Sequence, residues 1–173
     1  MHCNMHFALR YRLDRLRNLW MIVPWFIALL LGTYCAAASD SSVFSLVRQT
    51  VFGRVSTVCL MAAQLLPFLF AAYAAYISNT ILLVIVSSVK LFSFGFAGYL
   101  VWAVFGSAGW LMRFLALFSD FFLVPVLCLF CLRIYHGCGK LTKELLICMC
   151  IVIGTVLLDG FFFSAVLEKM IYI

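Results

Sequence analysis

The sequence feature that most constrains the fold is a series of five apolar runs, each long enough to cross a bilayer. The runs cover about 19–38, 55–77, 80–105, 110–132 and 145–166. A spanning helix needs about 20 apolar residues, within a range of about 17 to 25. Because lipid cannot satisfy backbone N–H and C=O groups, each run is expected to be helical. We therefore predict an all-α, polytopic transmembrane helix bundle of about five spanning helices, with residues 1–173 forming a single integral membrane domain.

The composition excludes the common soluble classes. Hydrophobic residues make up 67% of the chain and charged residues only 10%, against about 45–50% and about 25% in soluble domains. The net charge of +6 does not indicate a nucleic-acid partner, since the basic residues flank apolar runs instead of forming one solvated face. The expected surroundings are the lipid bilayer of a cell membrane.

The distribution of arginine and lysine predicts the orientation. Positive residues are enriched in cytoplasmic loops. With five crossings and the amino end inside, the cytoplasmic side holds seven basic residues: Arg10, Arg12, Arg15, Arg17, Arg133, Lys140 and Lys143. The opposite side holds three: Arg48, Arg54 and Lys169. We predict that residues 1–18 form a basic cytoplasmic amino end and that the carboxyl end lies outside.

An alternative concerns the first run, whose end carries Ala36-x-Ala38 after a basic amino end. This pattern is compatible with signal-peptidase cleavage, which would leave four spans and an amino end outside. An apolar stretch of about 20 residues favours a retained span over a signal segment.

One charge, Lys90, lies inside the third run, and Asp120 lies inside the fourth. Ionisable groups within a membrane usually pair with one another or face a wet cavity. The short turn 106–109 makes the two runs antiparallel neighbours, and each charge is about 15 Å from the start of its helix. We predict a Lys90–Asp120 ion pair near the midplane. Two alternatives stay open: Lys90 extends toward the headgroups while Asp120 is protonated, or the helix is broken at 89–92.

Four further residues in the runs have predicted roles in helix contact. Asp159 and Gln64 are expected to form hydrogen bonds between helices, in preference to binding a transported solute. Gly95 and Gly98 would allow a neighbouring backbone to approach closely.

No constellation for catalysis or metal binding is evident. Cys128 and Cys131 have the spacing of half a zinc site, but Cys148 and Cys150 do not supply the other half. The eight cysteines are better explained as packing residues, with a metal or redox role as the weaker alternative. No nucleophile, base and orienting group can be assembled, so we predict a non-enzymatic protein without a cofactor.

The third and fourth runs carry a more specific pattern. The stretch "VKLFSFGFAGYLVWAVFGSAGWLMRFLALFSDFFLVPVLCLF" resembles the core of the stage II sporulation protein M family. The matching positions are Lys90, Gly95, Phe96, Gly98, Gly106, Gly109 and Pro125. The amino-terminal stretch "RLRNLWMIVPWFIALLLGTYCA" is similar as well. One departure is that Phe118, Ser119 and Asp120 stand where the family has a Pro-Gln-Asn triplet.

The resemblance implies a multi-pass membrane scaffold of an endospore-forming bacterium. In that family the protein anchors and localises sporulation proteins D and P, which remodel peptidoglycan during engulfment, so the chemistry belongs to those partners. The rival hypothesis is a small transport or permease subunit in which Lys90, Asp120 and Asp159 line a solute or proton path. Such a path in a short chain would require a homo-oligomer, and oligomerisation is left open.

Overall fold

The computed structural model describes the backbone of residues 3–39, 57–105, 117–136 and 141–171, and the side chains of 19–39, 61–103, 117–136 and 141–161. These ranges contain five α-helices and no strand: α1 Cys3–Ala37, α2 Thr57–Tyr76, α3 Thr80–Phe105, α4 Phe118–Tyr135 and α5 Leu141–Ile171. The predicted all-α helical bundle is confirmed.

Four of these helices are long and apolar enough to cross a membrane. The qualifying segments are Leu19–Ala37, Thr80–Ala103, Phe118–Tyr135 and Leu141–Phe161, with mean hydropathies of 1.8 to 2.1. The described apolar part of α2, Met61–Tyr76, is shorter. Large apolar side chains are exposed on the outside of the bundle, for example Trp20, Tyr34 and Phe161. This distribution suits lipid as the solvent, and the chain is a multi-pass membrane protein.

The helix boundaries differ from the predicted spans mainly at the ends. Helix α3 coincides with 80–105, whereas α1 begins at Cys3, well before residue 19. Helix α4 begins at Phe118 and the predicted residues 110–116 lie outside the described ranges. Helix α4 continues beyond residue 132 to Tyr135, and α5 begins at Leu141, before residue 145. Both helices therefore include several residues of the polar segment between the two predicted spans.

The helices alternate in direction. Trp25 contacts Ser87 and Gly32 faces Phe92, so α1 and α3 are parallel. The short turn after Tyr76 and the Gln64–Lys90 contact make α2 antiparallel to α3. Helix α4 is antiparallel to α3 because Asp120 contacts Lys90 while Ile134 and Leu83 line the same cleft. The Ser119–Asp159 and Arg133–Glu144 contacts make α4 and α5 antiparallel. Odd-numbered helices therefore run one way and even-numbered helices the other, as expected for successive crossings.

The turn between α2 and α3 is short and fully hydrogen-bonded. The Ser78 N–H donates to the Ala75 carbonyl (3.0 Å) and the Asn79 N–H to the Ala74 carbonyl (2.9 Å), the two bonds of a Schellman motif. Ser78 adopts a φ of 54°, a left-handed conformation that usually favours glycine. The Asn79 side chain then caps α3 by accepting the Leu82 N–H at 3.0 Å.

The ends of α4 and α5 are joined by an ion pair. Arg133 Nη2 lies 2.9 Å from Glu144 Oε1. Arg133 is in the last turn of α4 and Glu144 is in the first turn of α5, so each charge also complements its own helix dipole. The pair therefore links the facing ends of α4 and α5.

The core lies between α2, α4 and α5, with α3 along one side. Phe68 of α2 packs against Phe130 of α4 with ring centroids 6.0 Å apart. Fully buried Val152 and Val156 of α5 join them, together with Ala71 of α2. In the described part of the chain α1 packs chiefly against α3, so it is the peripheral helix of the bundle.

Candidate functional site: an interhelical polar cluster

Five polar side chains from four helices meet inside the apolar bundle: Gln64, Lys90, Ser119, Asp120 and Asp159. We call this group the polar cluster. At its centre Lys90 Nζ lies 2.6 Å from Asp120 Oδ1, so the structure contains the ion pair predicted from the sequence. The side chains of Lys90 and Asp120 are 15% and 22% exposed, which makes the pair largely shielded.

Gln64 bridges the two charges. Its Oε1 accepts a hydrogen bond from Lys90 Nζ at 2.9 Å, and its Nε2 donates to Asp120 Oδ1 at 2.9 Å. Both ends of the carboxamide are therefore used, which removes the penalty for burying an unpaired polar group. The predicted role of Gln64 in helix contact was correct in kind, but the sequence did not show that it joins the ion pair.

The α2–α3 hairpin explains why Gln64 and Lys90 meet. The two residues lie thirteen positions before and after Ile77, close to the middle of the turn. Since both helices rise about 1.5 Å per residue, they reach the same depth. The short Schellman turn thus sets the register of the cluster.

Asp120 is placed differently from the prediction. The sequence put it about 15 Å inside the fourth helix, whereas α4 begins at Phe118 and Asp120 lies in its first turn. A carboxylate in the first turn is stabilised by the helix dipole and by the free N–H groups there, by about 0.3–1 kcal/mol. The Asp120 carboxylate therefore faces two positive influences, the Lys90 ammonium and the amino end of α4.

Asp159 of α5 joins the cluster through the residue next to Asp120. Ser119 Oγ donates a hydrogen bond to Asp159 Oδ2 at 2.5 Å. At the start of α4, Asp120 thereby contacts α2 and α3, while its neighbour Ser119 contacts α5. This agrees with the prediction that Asp159 forms hydrogen bonds between helices.

The alternatives considered for Lys90 can now be judged. Helix α3 is continuous from Thr80 to Phe105, so a break at 89–92 is wrong. The Lys90 ammonium is held by Gln64 and Asp120 and does not extend to the headgroups.

The opposite side of α3 is joined to α1 by close packing. A Cβ added to Gly32 would clash with the Phe92 carbonyl and come within 3.0 Å of the Phe96 N atom, and a Cβ at Gly95 would clash with the Leu29 carbonyl. Glycine at these positions permits backbone contact between the helices. The prediction for Gly95 therefore agrees with the structure.

For Gly98, the described residues show no close approach of a neighbouring helix. No heavy atom of the described neighbours lies within 4 Å of an added Cβ. Gly98 is three residues beyond Gly95, so it lies one turn along α3 and about 60° around the helix from Gly95.

One buried hydrogen bond reinforces the α1–α3 contact. Trp25 Nε1 donates to Ser87 Oγ at 2.7 Å, and Ser87 Oγ donates in turn to the Leu83 carbonyl at 2.8 Å. Sequence reasoning missed Trp25, Ser87 and Gly32, because tryptophan, serine and glycine are all common in membrane helices. The one signal in the sequence was the spacing of seven residues between Trp25 and Gly32, which places both on the same face of α1.

The remaining predicted residues can be located in part. Arg133 is paired with Glu144 and Lys143 is exposed near it, while Lys140 and the side chains of Arg10, Arg12, Arg15 and Arg17 lie outside the described residues. Cys128, Cys131 and Cys148 are free thiols. Within the described ranges no three His, Cys, Asp or Glu side chains form a metal-binding group.

No family model, no curated protein and no solved structure matches this chain. The resemblance to the stage II sporulation protein M family therefore depends on residue patterns alone, chiefly those of the third and fourth runs.

Proposed function

We propose that the protein is a non-enzymatic, multi-pass membrane scaffold. The observation that carries the proposal is that the charged groups inside the spans are held by one another and by neighbouring polar groups: Lys90 is neutralised by Asp120, Gln64 bridges them, and Asp159 accepts from Ser119. Such a network fixes four helices relative to one another. The rigid bundle then presents an extensive apolar surface to lipid and to the spans of partner proteins.

The partners and setting follow from the resemblance. We propose that the scaffold anchors and localises peptidoglycan-remodelling proteins, namely sporulation proteins D and P, during endospore engulfment. Its amino end would face the cytoplasm and its carboxyl end the outside. Support comes from the pattern between Lys90 and Pro125 and from the seven-to-three distribution of basic residues.

The test is co-purification of the full chain from membranes of an engulfing endospore-former. The wild type should recover both sporulation proteins, and Lys90→Met should recover less only in proportion to its own lower level. Lys143→Met, at an exposed site outside the cluster, is the matched control. Failure of the wild type to recover either partner would refute this assignment.

A second candidate is transport of a cation or proton. The observation favouring it is that three ionisable groups, Lys90, Asp120 and Asp159, lie in one layer of the bundle and keep partial exposure. In proteoliposomes, flux that disappears in Asp159→Asn while the protein stays folded would favour transport. Equal leakage from liposomes with wild-type and variant protein would favour the scaffold.

A further inference from the structure

A cleft of about 260 Å³ opens at one end of the bundle, between the α2–α3 turn and the end of α4. Its apolar wall is formed by Ala74, Ala75, Leu83 and Ile134, and its polar rim includes Ser78, Asn79 and Thr80. The small side chains of the two alanines leave this space where a larger residue would fill it. The cleft is independent of the polar cluster.

The depth of the cleft can be read from the ends of the apolar segments. The apolar part of α2 ends at Tyr76, the span of α3 begins at Thr80 and that of α4 ends at Tyr135. Tyr76 is strongly exposed here, as expected of a tyrosine at the membrane interface. The cleft therefore opens at the level of the lipid headgroups.

The rim offers hydrogen-bond donors that the described part of the chain does not use. The hydroxyls of Ser78 and Thr80 have no partner there, and Asn79 uses its Oδ1 to cap α3, which leaves its NH₂ group. Among the described residues that line the cleft, none is charged. Uncharged donors above an apolar wall match a ligand with acceptor oxygens at one end and methylenes at the other.

We propose that this cleft binds one glycerophospholipid, with its phosphate and ester oxygens at the Ser78–Thr80 rim and the first acyl methylenes against Leu83 and Ile134. Because the described rim residues Ser78, Asn79 and Thr80 are polar and uncharged, the site recognises the phosphoglycerol unit that zwitterionic and anionic phospholipids share. The proposal depends on the membrane location of the bundle and not on the scaffold function.

The test is native mass spectrometry of the full chain, released from lipid into increasing concentrations of mild detergent. The wild type should retain one phospholipid after the remaining lipid is removed. Ala75→Phe, which fills the cleft, should abolish this adduct. Ala62→Phe, at an exposed position thirteen residues earlier on the same helix, should keep it.

A second pair of variants tests the rim without a change of volume. Thr80→Val should reduce retention about fivefold, the effect of one lost hydrogen bond. Thr33→Val, whose hydroxyl bonds only to the Leu30 carbonyl on α1, should leave retention unchanged. Two results would overturn the proposal: equal retention by Ala75→Phe and Ala62→Phe, or displacement of the adduct by excess inorganic phosphate, which would indicate a site for the free anion.

Discussion

The two sides of α3 are joined to their neighbours by different physical means. Toward α1 the contact depends on shape: Gly32 and Gly95 bring the backbones together around one buried hydrogen bond. Toward α2 and α4 it depends on charge, through Lys90, Gln64 and Asp120. Apolar side chains gain little by leaving lipid for one another, so close packing and polar contacts are the two available sources of helix association. This protein uses both on a single helix.

The two sides of α3 should differ in their tolerance to substitution, and the largest loss of stability is expected at the close-packed contact with α1. Gly32→Ala would place a methyl group against the Phe92 carbonyl, which cannot move without separating the helices. We expect it to destabilise the protein by about 3 kcal/mol, measured by thermal unfolding in detergent. Gly154→Ala, whose Cβ would meet no atom within 4 Å, is the control and should be neutral or slightly stabilising. Equal losses in both variants would show that α1 does not dock closely.

The charged side is tested by Lys90→Met. This change leaves the Asp120 carboxylate without its counter-ion in an apolar layer. Breaking a fully buried pair costs about 3–5 kcal/mol, and partial exposure of both side chains reduces our expectation to about 2 kcal/mol. Steady-state protein level and thermal unfolding are the measurements.

The double variant Lys90→Met with Asp120→Asn separates pairing from packing. It should recover a large part of the loss, because no uncompensated charge remains. If the double variant is as unstable as the single one, the Lys90–Asp120 contact contributes no electrostatic stabilisation.

Removal of the hydrogen bond between Trp25 and Ser87, on the α1 side of α3, should reduce stability by a smaller amount. Ser87→Ala leaves the buried Trp25 N–H without an acceptor and should cost about 1–2 kcal/mol. Loss of the same hydrogen bond in Trp25→Phe should cost less, since the Ser87 hydroxyl still donates to the Leu83 carbonyl. Combining the two should add little to Ser87→Ala in the same unfolding assay, and full additivity would mean that the bond is absent.

The smallest change in stability is expected in the turn between α2 and α3, which takes part in neither the α1 contact nor the polar cluster. Ser78→Gly relieves a left-handed conformation and should stabilise the protein by about 0.5 kcal/mol. The gain should add to the effects of Gly32→Ala and Lys90→Met, because no side-chain partner is shared. A loss of stability in Ser78→Gly would show that the hydroxyl makes a contact needed for folding.

The charged side of α3 could be predicted from the sequence to a greater extent than the close-packed side. A lysine and an aspartate in adjacent apolar runs are rare and strongly constrained, so their pairing followed from charge and topology, although Asp120 lies in the first turn of α4 and not deep inside it. Gly32 and Trp25 are ordinary in a membrane helix, and their role depends on the rotation of α1 against α3, which apolar sequences do not encode by periodicity. The same uncertainty about rotation made Gly98 look equivalent to Gly95.

The start of α4 was harder to predict for another reason. Residues 110–117 are apolar apart from Arg113, so hydropathy alone extended the fourth run to Trp110. The signal for a helix start at Phe118 was Asp120 in the first turn, a position that favours carboxylates. It was instead interpreted only as a partner of Lys90.

The parallel docking of α1 on α3 has a consequence for biosynthesis. Trp25 and Ser87 are separated by 62 residues, so during translation the first helix enters the bilayer long before its partner emerges from the ribosome. Until then the face of α1 that carries Gly32 and the Trp25 indole N–H has no partner on α3. A nascent chain that stops after α2 would therefore carry an unmatched docking face, the kind of surface by which quality-control factors recognise unassembled membrane proteins.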